Sequence, residues 1–206
     1  MKNIQKYTVY LVCVGLFVFY AKLRKDKFDD EQASGCMYGA VRAFEDGKYI
    51  EAIDGTDVSK GFLYVINNYG GTNTSNLAKF YSGISFMYLK QYEVALRYLE
   101  SAKLREPIFD AKRLALIGDA YVELNKYDIA VRYFIEAAKL YENDDDKGRF
   151  LFKAALAYEA MGDYKSALRV VNSFMSDNLH ADDKLYEKFE REKEKLSAHI
   201  ARLSTK

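Results

Sequence analysis

The 206-residue chain has no tryptophan, one proline (Pro107) and two cysteines, Cys13 and Cys36. Scarce proline leaves room for long helices, because proline removes a backbone donor and clashes inside a helix. Two distant cysteines without CxxC spacing make neither a zinc nor a dithiol redox motif. An excess of one charge is missing too. Lys plus Arg number 31 against 30 Asp plus Glu, and a net charge of +1 gives no reason to expect a nucleic-acid partner. What the chain does have is apolar mass: half its residues are hydrophobic, too many for a disordered chain and enough for one well-buried domain with an appendage. Eighteen tyrosines add amphipathic rings, which suit helix packing and binding surfaces alike.

Catalytic constellations are also absent. His180 and His199 stand isolated, and there is no nucleophile elbow, phosphate loop or HExxH. Asp144-Asp145-Asp146 lacks the alternation and distal Glu of a calcium loop and reads as a solvated turn. No catalytic, metal or cofactor site is expected, and the chain reads as a non-enzymatic binding protein.

The dominant positive feature is a recurrence. Gly83…Tyr92-x-x-Ala95…Ala102 returns as Gly118…Tyr127-x-x-Ala130…Ala137, every position shifted by 35 residues, and Ala155…Tyr164-x-x-Ala167 follows 37 later. A period in the mid-thirties means stacked helical hairpins. Helices are predicted at about 75–89 and 92–104, 110–124 and 127–142, and 148–161 and 164–175, as antiparallel pairs closed by Lys90-Gln91, Asn125-Lys126 and Gly162-Asp163. Asn125 and Gly162 tolerate the left-handed conformation that ends a helix. The small residues Gly83, Ala95, Ala102, Gly118, Ala130, Ala137, Ala155 and Ala167 are expected to let backbones approach. Phe86, Tyr121 and Tyr158 fill the space beside them, and Leu99, Phe134 and Val171 are expected to point toward the next pair. A final helix near 182–203 carries Leu185, Phe189, Leu196, Ile200 and Leu203 on one stripe and reads as a cap on the last repeat.

Ahead of the repeats, residues 7–21 contain no charge. Extended from Ile4 to Leu23, the run reaches roughly the 20 residues that a bilayer core needs, with Lys6 and Lys22 able to snorkel. An uncleaved membrane span over residues 4–23 is expected, with a cleaved signal peptide and a buried core helix as rivals. No small-x-small pair follows the run, which tells against cleavage. Asp29-Asp30-Glu31 then suits a helix start, with a stop at Gly47. Gly55 to Gly61 reads as an inserted loop, and helix resumes from Phe62 to Tyr69. The expected organisation is an anchor with basic flank (1–28), a degenerate first repeat (29–75), three clear repeats (76–180) and a capping helix (181–206).

The small, tyrosine and alanine positions of residues 76–180, with Pro107 near the consensus proline, resemble the tetratricopeptide (TPR) family. The resemblance implies an all-α solenoid of antiparallel helix pairs. It also implies a peptide groove lined by first-helix side chains: Phe80, Ile84, Met87 and Tyr88, then Lys112, Ala115, Asp119 and Glu123, then Arg149, Phe152, Leu156 and Glu159. In members that bind chaperone tails, Lys and Asn clamp a carboxylate. Phe80 and Ile84 hold those positions here, so helical or unfolded apolar segments are the expected ligands. The span, the degenerate first repeat, Gly61-Phe62-Leu63…Tyr69-Gly70-Gly71-Thr72 and Asn76-Leu77-Ala78…Tyr81-x-Gly83 resemble bacterial single-span TPR proteins related to an ancillary translocon subunit that acts with periplasmic chaperones. That similarity implies an inner-membrane scaffold with periplasmic repeats. Lys22, Arg24, Lys25 and Lys27 after the span count instead toward cytoplasmic repeats. The alternative function is a self-associating structural module of an envelope complex.

Overall fold

The computed structural model describes residues 2–141, 144–177 and 183–204, with side chains for 14–141, 145–176 and 184–203. Expectations for the side chains of Lys6, Cys13 and His180 lie outside these residues. Regular structure among the described residues is helical: α1 (Lys2–Glu45), α2 (Tyr49–Asp54), α3 (Phe62–Asn68), α4 (Asn73–Tyr88), α5 (Tyr92–Ser101), α6 (Pro107–Glu123), α7 (Tyr127–Lys139), α8 (Asp144–Ala160), α9 (Tyr164–Asp177) and α10 (Asp183–Ser204). Two compact units result, residues 1–81 and 82–206.

In the first unit, α1 runs without a break through Asp29-Asp30-Glu31, where a new helix was expected to start. No proline or glycine interrupts residues 16–34, so nothing forces a stop. Asp30 serves a different helix end: its Oδ1 accepts the Thr74 backbone N–H at 2.8 Å, at the start of α4. The far half of α1 lays Ala33, Met37 and Ala40 against Ala52, Phe62, Val65 and Ala78. The inserted loop closes through an antiparallel Gly55–Lys60 bridge, Gly55 having φ +87°. Cys36 is half-buried, with Sγ 4.0 Å from the Tyr69 hydroxyl.

No helix among the described residues is long and apolar enough to cross a membrane. The span expected over residues 4–23 therefore has no support there. Of the apolar run, side chains are described only from Val14 on. Residues 14–21 extend roughly 12 Å at helical rise, well short of a hydrocarbon core.

The second unit stacks helix against helix in chain order, from α5 on α6 through α9 on α10. Pro107 takes the first turn of α6, where its missing N–H costs nothing. The residues Asp144-Asp145-Asp146, expected as a turn, open α8 instead. Acidic groups favour a helix N-terminus, and Asp146 sits 3.7 Å from Arg149 one turn on.

Four helix ends share one stop. Gly47, Lys90, Asn125 and Gly162 have φ between +56° and +77°. The next amide in each case reaches back five residues: Lys48 to Ala43 O, Gln91 to Phe86 O, Lys126 to Tyr121 O and Asp163 to Tyr158 O. This is the Schellman closure. Lys90 is the costly member, because a Cβ in this conformation meets the following carbonyl. Lys90→Gly is expected to stabilise the protein by up to about 1 kcal/mol, offset in part by a freer unfolded chain. A thermal melt checks it, and an unchanged or lower midpoint would contradict strain at Lys90.

Inside the pairs, small and large residues are matched in size. A Cβ built on Gly83 would meet Leu99 Cγ at 2.5 Å, and one on Gly118 would meet Phe134 Cε1 at 2.6 Å. In the third pair Ala155 replaces glycine and the smaller Val171 replaces Leu or Phe, both within one core. Leu99 and Phe134 therefore fold back into the notch of their own pair, and Phe134 also meets the next pair, as expected, in one core with Ala154 and Ala157 of α8. The reason is helical spacing: each lies one turn beyond the alanine that makes the close approach (Ala95, Ala130), on the same face. Phe86 stacks on Tyr98 (5.3 Å) and Tyr121 on Tyr133 (5.6 Å), again 35 residues apart.

Candidate functional site

First helices supply the surface where ligands were expected. The structure separates the expected positions into packed and open ones. Phe80 is buried in the first unit, Ala115 is buried in the second, and Phe152 packs edge-on against Phe189 of α10 at 5.3 Å. Phe80 and Ala115 are thus closed to a ligand, and Phe152 is half-buried with one edge taken by α10. Ile84 and Met87 are half-buried, while Tyr88, Lys112, Glu123 and Arg149 are exposed. Of the residues expected to pack between helices, Ala95, Ala130, Ala137, Ala155 and Ala167 are fully buried, Ala102 nearly so, and Gly83 and Gly118 are buried as well.

Asp119 and Leu156 meet in one place. They line a cleft of about 150 Å³ together with Val122, Tyr127, Phe134, Lys153, Ala157 and Ala160. Contributions come from α6, α7 and α8. Phe134 makes the floor, and Leu156 is 40% exposed at the wall. Lys153 Nζ donates to both Asp119 oxygens (2.8 and 2.7 Å) and lies 5.6 Å from the Phe134 ring centroid. That pair is about one-third to two-fifths exposed, so solvent screens it. Its role is to fix the position of two polar groups beside an otherwise apolar cleft. The cleft is smaller than a cofactor pocket and sized for one or two side chains.

Lys153 and the α7 floor were missed from sequence, although a signal existed. Asp119 and Lys153 lie 34 residues apart, close to the repeat period. The same relation recurs one step on, where Lys195 of α10 sits 2.7 Å from Glu159, 36 residues away. Glu159, expected as a groove residue, is thus engaged by the cap. Its hydrogen bond holds the Lys195 ammonium above its ordinary range. Glu192 sits 3.5 Å from the same ammonium. Burial, and then repulsion from Glu159, push its carboxyl up. Just past the same end of α8, Asp163 Oδ1 accepts the Ser166 amide at 3.1 Å, capping α9, and this bonding lowers its pKa.

None of these groups forms a nucleophile–base pair or a metal cluster among the described residues. Paired carboxylate and ammonium at a cleft edge, with aromatic and aliphatic walls, can recognise a side chain.

Residues 111–144 match a tetratricopeptide repeat family model, and residues 150–177 match a second one. The two matched stretches together include every residue that lines the cleft. They support the TPR family and a role in binding other proteins. A comparison with curated proteins gives no match.

Proposed function

We propose that this chain is a membrane-tethered, non-enzymatic TPR scaffold that holds polypeptide segments of other proteins close to the bilayer. Roles ancillary to protein translocation or periplasmic chaperone networks fit this reading. The observation that carries it is the apolar cleft at Leu156, open on a face of otherwise closely packed helix pairs. A photo-crosslinking residue in place of Leu156, in the full chain in membranes, tests it. Adducts with segments of other proteins are expected. Recovery of self-links alone would favour the rival reading, a self-associating envelope module.

Tethering rests on the uncharged run at residues 7–21. We place the repeats in the periplasm, on the resemblance to single-span bacterial relatives. The cytoplasm is the second reading, and Lys22, Arg24, Lys25 and Lys27 favour it. Cys36 is a poor reporter because it is half-buried against Tyr69. Ser34 is exposed on the same helix. With Cys13 and Cys36 replaced by Ala, Ser34→Cys is expected to react with an impermeant maleimide in cells whose outer membrane alone is permeabilised. Labelling only after lysis would move the repeats to the cytoplasm.

A further inference from the structure

From the described half of the apolar run to Phe28, every side chain of α1 is exposed. Val14, Leu16, Phe17, Val18, Phe19 and Tyr20 are 41–72% exposed. Seven consecutive helical residues, each turned about 100° from the last, cover every side of the helix. No single protein face can bury such a segment, whereas acyl chains can. Lys22, Arg24, Lys25 and Lys27 follow at once and are exposed. Taking Lys22 as zero, they project at about 0°, 200°, 300° and 140° around the axis. This makes a ring of cations and not a stripe. A helix lying flat on a membrane carries its cations on one face. A helix entering along the bilayer normal meets headgroups on all sides. Among the described residues only Lys27 of the four is ion-paired, at 4.0 Å to Glu31 and with both groups well exposed.

We infer that this ring binds anionic phospholipid headgroups, and that the interface of the leaflet next to the repeats lies at Ala21–Lys22. The inference rests on the tethering reading and adds the lipid class and the depth. Charge complementarity selects the occupant: three cations with no ion pair among the described residues sit directly beside an exposed apolar segment. Each cation near an anionic surface strengthens binding about fivefold at low salt.

The test is flotation of the full chain with vesicles of phosphatidylcholine alone and of phosphatidylcholine mixed with phosphatidylglycerol. The parent is expected to bind the mixed vesicles roughly 100-fold or more tightly than the neutral ones at low salt, with the difference shrinking as salt rises. The quadruple variant Lys22→Gln, Arg24→Gln, Lys25→Gln, Lys27→Gln should lose that difference while keeping its binding to neutral vesicles. Equal binding of the parent to both vesicles would overturn the anionic-ring inference and leave the tether standing. Failure to float with either, in a chain with intact helical circular dichroism, would overturn the tether and the ring together.

Discussion

Phe189→Ala is expected to lower the stability of the C-terminal unit by about 3–5 kcal/mol and to release α10. Phe189 is fully buried, stacks on Phe174 at 4.1 Å and takes Phe152 on its edge. Truncation leaves a cavity with two aromatic rings facing it. Leu185 and Leu196 of α10 share that core, but Phe189 is the largest fully buried side chain on the helix, and the ion pair to Glu159 is half-exposed at Lys195. Hydrogen exchange resolves the outcome by segment. Amides of residues 184–203 should lose protection while α6 and α7 retain theirs. A variant that melts within about 1 kcal/mol of the parent, with α10 still protected, would show that the cap is held elsewhere.

Gly118→Ala is the second large effect, at about 1–3 kcal/mol of destabilisation from a single added methyl. Its Cβ would lie 2.6–3.0 Å from three carbons of the Phe134 ring, in a unit where both residues are buried. The cost should be coupled to the ring. Phe134→Leu alone costs stability through lost volume, but in the Gly118→Ala background the two changes should be less than additive by about 1 kcal/mol. The third pair already carries such a compensation, with Ala155 opposite the smaller Val171. Strict additivity in chemical denaturation would mean that the methyl is accommodated by backbone movement and that the size matching has no energetic content.

Much of this packing was legible from the recurrence, because Gly, Tyr and Ala positions repeat wherever two backbones must approach. The stops at Gly47, Asn125 and Gly162 were legible for the same reason, since glycine and asparagine tolerate positive φ. Lys90 was not: nothing in a lysine announces a left-handed conformation, and only its place in the repeat does. Asp29-Asp30-Glu31 misled because an acidic cluster suits a helix N-terminus, and the N-terminus Asp30 serves belongs to α4. The site divided similarly. Apolar positions at helical spacing look identical whether they face a groove or a neighbour. Phe80 is buried and Phe152 is half-buried against Phe189, while Leu156 lies at an open cleft. Phe134 and Lys153 became visible as site residues only once α6, α7 and α8 were brought together.

The protein-binding reading stands or falls at that cleft. Ala160 lines it from the exposed last position of α8, away from the packed core. Ala160→Phe should occupy the cleft without disturbing the fold. The direct measurement is therefore photo-crosslinking from position 156 in membranes, with and without Ala160→Phe, alongside a thermal melt of each. Adducts with other polypeptides in the parent, lost in Ala160→Phe at an unchanged melting temperature, are the expected result. Adducts of equal yield in both, or none in the parent, would contradict a ligand seated at Leu156.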